Sequence, residues 1–503
     1  MRERIIGIDA GGTMTKAALF DATGREFACV RQPNRMLFPK PNHTERDAES
    51  MWQAAATAVR SLLESTGTSS SDVAAVSVTG YGSGIYLVDR DGRTVRPGVV
   101  STDGRAAAIV DGWRRDGRVA RNEPRIQQRI WSGQAISLMA WFQEHEPEIV
   151  DRTSSVLMCK DFLRARLCGD RSTDPTDAGI AGFIDVTTAT YAEAMLDDLG
   201  LARWRTKLPP ICPSIDVAGA ITHEAAAATG LKQGTAVVRG VVDVAGSALA
   251  SGVTRPDQLS MVAGTFSINS TLHRSPRSSV MPFLQMPYPI EGWLLATEGS
   301  ATSASNFEWF CRNILDGEAA RAVSSGRSIY DVCNDLVADA LARDNDILFL
   351  PYLFGSPEGA PAGFLGMQAA NTLGDLIRAI FEGVAFAHRT DIERLLSGPD
   401  AARPQSIRLA GGASRSRIWG QLFADVLGLP IEVTDGSELG ARGAAISAAV
   451  AVGLHDSVQQ AVDSMVRVVD RFDPEDGRHA LYDRKFMRFR ETTKALGALF
   501  AGR

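Results

Sequence analysis

The sequence predicts an α/β protein of two lobes, on three observations. Its 503 residues exceed one ordinary core, since a common domain holds about 100–200 residues. A strand, a glycine turn and a second strand open each half, near residues 4–20 and again at 259–272. Elsewhere short β-branched runs alternate with stretches whose apolar residues recur at helical spacing.

The elements follow in order. Residues 4–9, RIIGID, form a β-branched strand, AGGT a glycine turn and TKAALF the return strand. Residues 48–65 carry apolar positions at helical spacing, 72–80 read as a buried strand, and 84–95 as strand and turn. Residues 134–145, 155–168 and 191–200 read as helices, and 207–214, KLPPICPS, as a proline-rich connector. From 235 the pattern restarts with a strand running into a small-residue helix. LSMVAGTFSINSTL (259–272) repeats strand, Gly-Thr turn and strand, and 346–355 is a strand ending in a glycine turn. Residues 373–396 form a long amphipathic helix, 406–428 a strand, glycine turn and helix, followed by IEVTD as strand and LGARGAAISAAVAVG as a small-residue helix. Residues 470–503 read as a turn and an amphipathic helix that serves packing. The lobe boundary falls near 250, dividing the chain into 1–250 and 251–503.

Composition excludes several classes. Apolar residues are 45% and charged residues 22%, near the globular average. The net charge of −6 lacks the basic footprint of a nucleic-acid binder. No run of about 18 apolar residues marks a membrane span, and the N-terminus goes straight into a strand without a signal-peptide pattern. The six cysteines form no CxxC pair and no HExxH appears. Reduced thiols in the cytoplasm are therefore expected, and no structural zinc.

Five motifs carry chemistry. In Gly7-Ile-Asp9-Ala-Gly11-Gly12-Thr13-Met-Thr15-Lys16 the glycines allow close approach of an anion to backbone N–H groups, and the threonines add donors. Asp9 ends a strand where it suits Mg²⁺, directly or through water. The plain alternative is a tight hairpin turn. Ala263-Gly264-Thr265-Phe266-Ser267 repeats the form in the second half. Asp243 follows a buried strand and precedes a helix, the position at which α/β sheets place ligands. It suits a base for a substrate hydroxyl, or else an N-cap. Gly411-Gly412-Ala413 form a strand–helix turn suited to a flat ring or ribose. Asp103 and Arg105 suit sugar hydroxyls, or else an exposed ion pair.

In this order and spacing, from about residue 4 to 453, the pieces resemble the FGGY family of carbohydrate kinases. GIDAGGTMTK is similar to the family's first phosphate loop, and the segment ending at STDGRA to its Asp-x-Arg stretch. CKDFLRARLCGDRSTDPTDAG (159–179) and LPPICPS resemble two further family segments. AGFLGMQAANTLGDLIRAIFE (362–382) fits the C-terminal signature, and 411–433 the adenosine segment. The resemblance implies the two-lobed actin-like ATPase, or ribonuclease H-like, fold, with ATP and Mg²⁺ in the interlobe cleft and the sugar mainly on the N-terminal lobe. It makes Asp243 the catalytic base and a metal group beside Asp9. It assigns phosphates to Gly11, Gly12, Thr13, Thr15, Lys16, Gly264 and Thr265, and adenosine to Gly411, Gly412 and Ala413. It also leaves open a homodimer.

The substrate motif departs from the usual one. Where xylulokinases typically carry GQMHG, this chain has Gly80-Tyr81-Gly82-Ser83-Gly84, and Val244 follows Asp243 in place of an amide. Tyr81, Ser83, Asp103, Arg105 and Val244 are thus the candidate substrate residues, with Trp131 and Gln134 as further wall. Residues 130–148, 347–359 and 363–372 look most like the L-xylulose kinase branch. The expected acceptor is a ketopentose, L-xylulose first, with an erythritol- or glycerol-type polyol as alternative. A non-kinase actin-like ATPase and a non-catalytic sugar sensor are the more distant readings.

Overall fold

The run RIIGIDA and its return MTKAALFD form β1 (Arg4–Ala10) and β2 (Met14–Asp21), an antiparallel hairpin that pairs Asp9 with Lys16 and Ala10 with Thr15. Gly11, Gly12 and Thr13 make its tip. The computed structural model describes residues 3–264, 266–277, 280–356, 358–398, 401, 403–436 and 438–500. They divide into two compact units, of which the first takes Met1–Thr254, Leu272–Ala296 and Gly436–Arg467.

In the first unit a six-stranded sheet runs in the order Val217–Ala220, Ala236–Val238, Val73–Gly80, β1, β2 and β3 (Glu26–Pro33). β1 pairs parallel with Val73–Gly80, so Asp9 lies beside Thr79 and Ala10 beside Gly80. The hairpin is buried on both faces, which its near-continuous apolar sequence requires. Helix α1 (Ala48–Thr66) packs Ala48, Trp52 and Val59 against Ile6, Ile8 and Leu19. On the other face the helix Leu439–Ala451 packs Ala441, Ala445 and Ile446 against Ile5, Ala18 and Phe20. That helix is rich in Ala and Gly, LGARGAAISAAVA, because it lies in backbone contact. A Cβ on Gly7 would overlap the Ala441 carbonyl, and one on Gly443 would overlap the Gly246 backbone of the helix Asp243–Ala250.

By spatial grouping, residues 436–467 and 272–296 pack with the first unit, although they follow residue 250 in the chain. One expected helix also divides. Residues 155–157 form a strand paired with Tyr86–Val88, and the helix starts at Cys159. The reading at 191–200 shortens to a helix at Glu193–Asp198.

The second unit holds Arg255–Thr271, Thr297–Asp435 and Val468–Arg503. Its strand Gln258–Ala263 pairs antiparallel with residues 267–271 and parallel with Ser406–Ala410. The latter continues parallel to Ile431–Thr434, which meets Val468–Phe472 antiparallel. The helix Leu373–Leu395 opens on a Thr372/Asp375 capping box. Its Phe381 stacks on Trp419 at 4.2 Å within the core. The last helix, Asp476–Phe500, buries Tyr482, Phe486 and Phe489, a packing role. Among the described residues no helix is long and apolar enough to cross a membrane, and the six cysteines are free.

Candidate active site

Two carboxylates of the first unit interact, one near the end of β1 and one at the start of the helix Asp243–Ala250. Asp9 ends β1 beside the glycine turn, with its carboxyl against the Gly440 backbone; a Cβ there would come within 2.5 Å of Asp9 Cγ. Lys16 Nζ stands 3.8 Å from Asp9 Oδ2 and 2.8 Å from Glu438 Oε2, and Arg31 also pairs with Glu438. Burial pushes the Asp9 carboxyl up to about 6, against the pull of Lys16.

Asp243 is the first residue of its helix; Val242 occupies the cap position without a side-chain bond, so the N-cap reading does not hold. The Val244 N–H donates to Asp243 Oδ1 at 2.7 Å. Burial and then the Asp9 charge push the Asp243 carboxyl up to about 7, while N–H groups of Val244 and Gly82 oppose the rise. A carboxyl so poised at neutral pH takes a proton more readily than an ordinary one. The bridge residue before it, Val242, is fixed from behind. Val242 N–H donates to Thr176 Oγ1 at 2.9 Å, and Thr176 Oγ1 donates to Asp174 Oδ2 at 2.7 Å. Asp174 accepts from Ser214 at 2.5 Å and pairs with the fully buried Lys160 at 2.8 Å. Lys160 also meets Asp161 at 2.7 Å and Asp177 at 3.2 Å, and Arg164 holds Asp161 at 2.8 Å. The family-like segment 159–179 is thus a buried charge cluster behind Asp243, a role its sequence did not disclose.

The turn at Gly11, Gly12 and Thr13 has its carbonyls occupied. Asn34 Nδ2 donates to Gly11 O at 2.9 Å and Asn34 N–H to Thr13 O at 2.8 Å; Arg46 donates to Gly11 O at 3.2 Å and to Gly12 O. Filled carbonyls leave the turn's N–H groups for an anion. Thr15, expected to meet phosphate, is fully buried and gives its hydroxyl to Asn34 Oδ1 at 3.0 Å. It supports the turn from behind. Lys16, expected there too, is engaged by Glu438 and Asp9.

The expected substrate residues are mostly bonded to the protein itself. Tyr81 is buried with its hydroxyl 2.6 Å from that of Tyr86, under the Arg46 guanidinium. Ser83, at φ 63°, is fully buried and accepts the Ala135 N–H at 3.2 Å at the start of the helix Ala135–His145. Asp103 and Arg105 form a buried, not exposed, ion pair at 2.9 Å. Asp103 also accepts the Thr44 N–H at 2.6 Å, and Arg105 reaches Glu45 at 2.7 Å. Gln134 donates to Ile180 O at 3.2 Å, and Trp131 tilts against Phe283. Val244 remains half-buried beside Asp243. Gly82 is hemmed in by Ile180 and Val242, so a side chain there would collide at 2.6 Å.

In the second unit Gly264 closes the end of strand Gln258–Ala263; Thr265 lies outside the described residues. Gly411, at φ 89°, lies so close that a Cβ would sit 2.6 Å from Ala263 O and 3.1 Å from Gly264 N. The expected second phosphate turn and the Gly411, Gly412, Ala413 turn are therefore neighbours. Beneath them His388, held neutral by burial, contacts Asn269 Oδ1 at 2.9 Å, Ser267 Oγ at 3.2 Å and Ser303 Oγ at 3.1 Å.

Asp9 and Asp243 suit a hard cation that keeps waters and phosphate oxygens, as Mg²⁺ does. Among the described residues no group of three or more His, Cys, Asp or Glu gathers to hold a metal by itself. The residues that sequence reasoning passed over are Asn34, Arg46, Thr176 and Glu438. Glu438 immediately precedes the Ala/Gly-rich helix that contacts β1, and that helix was the one local signal pointing to it.

Models of the FGGY family of carbohydrate kinases match this sequence, the N-terminal domain over 4–250 and the C-terminal domain over 259–452. An L-xylulose/3-keto-L-gulonate kinase of Escherichia coli (strain K12) is 33% identical over 100% of this chain and 99% of its own. An erythritol kinase of Brucella abortus (strain 2308) is 29% identical over 99% of this chain and 98% of its own. The crystal structure of xylulose kinase from Rhodospirillum rubrum covers 99% of this chain and 100% of that one at 27% identity, with a TM-score of 0.86. The two-domain actin-like ATPase fold is theirs in common.

Proposed function

The chain belongs to the FGGY family of carbohydrate kinases, enzymes that move a phosphoryl group from ATP to a sugar hydroxyl, and we propose that its acceptor is a ketopentose, L-xylulose first, phosphorylated at a primary hydroxyl. Asp243 carries the reading, as a carboxylate that opens a helix directly after the bridge between Gly80 and Val242, raised to about 7 and held by two backbone N–H groups. In the proposed step the acceptor oxygen attacks the γ-phosphorus in line. Its proton passes to Asp243, the bond from the γ-phosphorus to the bridging oxygen breaks, and ADP leaves. Such transfer depends on positioning and charge neutralisation more than on covalent chemistry.

In the first unit the N–H groups of Gly11, Gly12 and Thr13 would receive phosphate. In the second, Gly264 and Thr265 would do the same, with Gly411, Gly412 and Ala413 beside adenosine. Asp9, directly or through water, and Asp243 would hold Mg²⁺, whose charge neutralises the phosphates. Free thiols and an intracellular phosphate donor support a cytoplasmic enzyme.

The relative active on L-xylulose at 33% identity supports the ketopentose. Val244, with no hydrogen-bonding group beside the base, favours a tetritol as the second reading, since an apolar wall does not select for a hydroxyl. A panel of L-xylulose, D-xylulose, 3-keto-L-gulonate, erythritol and glycerol, read as ADP released from ATP, tests this. The expected result is acceptor-dependent ADP with the highest kcat/KM for L-xylulose. Preference for erythritol would replace the ketopentose, and ADP release without any acceptor would overturn the kinase mechanism.

A further inference from the structure

We propose that Arg46 is a positioning residue for ATP, a buried cation whose counter-charge is the phosphate chain and which holds the Gly11–Gly12 turn open to it. The inference rests on the kinase reading and deepens its phosphate site. Arg46 is 1% exposed. Its guanidinium donates to Gly11 O at 3.2 Å and to Gly12 O, and approaches Met51 Sδ at 3.5 Å and Met36 Sδ at 3.8 Å. It lies 5.1 Å over the Tyr81 ring. Among the described residues it makes no ion pair. The acids flanking it are engaged elsewhere. Glu45 is bound by Arg96 and Arg105, and Asp47 caps α1 by accepting the Ser50 N–H at 2.7 Å.

A buried charge without a partner is costly, and proteins retain one where something repays the cost. Two features identify the payer here as an anion on the turn. The guanidinium takes carbonyl oxygens, so it turns the acceptors of the peptide planes toward itself and the N–H donors away. Its positive charge also sits on the carbonyl side of those peptide groups, in a buried site where charge is weakly screened. Asn34, which occupies Gly11 O and Thr13 O, completes the same arrangement without charge. Arg46 acts through the turn whose carbonyls it holds. A neutral residue of similar length would keep the packing and lose the field.

Calorimetric titration of wild type, Arg46→Met and Arg46→Lys with ADP, tripolyphosphate and adenosine tests the assignment. The expected result is a rise in Kd of tenfold or more for ADP and for tripolyphosphate in Arg46→Met. Adenosine binding should stay within twofold, and Arg46→Lys should recover most of the loss. A folded Arg46→Met that binds ADP as wild type does overturns the proposal, as does an equal loss for adenosine, which marks mere structural damage. Should Arg46→Met not fold, thermal melts of the wild type decide. Tripolyphosphate alone must raise the melting temperature, less so at high salt, and no rise overturns the proposal. Wild type that binds neither ADP nor ATP refutes the kinase reading itself, a result distinct from wild-type binding that Arg46→Met preserves.

Discussion

Replacing Asp243 by Asn should make the protein more stable while stopping its chemistry. The carboxyl rises from its usual 3.8 to about 7 in the fold, so the folded state favours the neutral form. At about 1.36 kcal/mol per pH unit the rise sets a ceiling of roughly 4 kcal/mol against the charged form. The group is only half-buried, and the Val244 and Gly82 N–H groups remain to solvate it, so about 1–3 kcal/mol is the working figure. The sign follows from the direction. Stabilisation by the neutral form is complete below about pH 4 and is lost as pH rises to about 7. Above pH 7 the wild type bears the whole penalty, and Asn, of the same shape and still accepting the Val244 N–H, bears none. Scanning calorimetry in chelator, free of divalent cations, should show Asp243→Asn melting a few degrees above wild type at pH 8, with the gain halved or less at pH 5. Turnover should fall by about 10²–10⁴, the contribution of a general base. A variant no more stable than wild type at pH 8, or equally stabilised at both pH values, would refute the electrostatic reasoning. One that kept near-native turnover would remove Asp243 from the mechanism.

Two further outcomes follow from the packing. Gly7→Ala forces a methyl into the Ala441 carbonyl and should cost about 3 kcal/mol, the upper range for overpacking, measured by urea unfolding. Gly112→Ala, in a helix with open space around it, should instead gain up to about 1 kcal/mol. Thr176→Val removes the acceptor of the Val242 N–H; kcat should fall about tenfold, in line with roughly 1–3 kcal/mol for a buried unmet donor. KM for ATP should stay within twofold, and Thr176→Ser should recover the rate; a matching rise in the ATP KM would show a general loss of structure instead.

Much of the site was legible because its signals are local. The glycine turn between β1 and β2, Asp9 near the strand end and Asp243 at the start of its helix all lie within a few residues of their cues. The paired turns at Gly264 and Gly411 were legible for the same reason, although their contact was not. The residues expected to meet substrate were harder. Tyr81 and Ser83 follow the strand Val73–Gly80, yet a place just beyond a strand does not say which way a side chain turns. Tyr81 finds Tyr86, and Ser83 takes the Ala135 N–H, because each buried polar group must be satisfied. Arg105 likewise pairs with Asp103 and Glu45 inside the protein, with Arg96 as a second partner of Glu45, where an unpaired charge would be untenable.

The sequence by itself determined the order of strands, turns and helices, the family and the proposed base, because periodicity, glycine turns and motif order are properties of short segments. Only the tertiary structure decided which charges meet. Arg31 and Glu438 pair across 407 residues of chain, and Arg46 reaches back to the turn at Gly11 and Gly12. It also decided that residues 436–467 belong with the first unit: the backbone contact of Gly7 with Ala441, and of Gly443 with Gly246, is possible only because Gly7 and Gly443 carry no side chain. Spacing along the chain carries no record of such contacts; they exist because folding removes these groups from water, and each must then find its complement among whatever has been brought near.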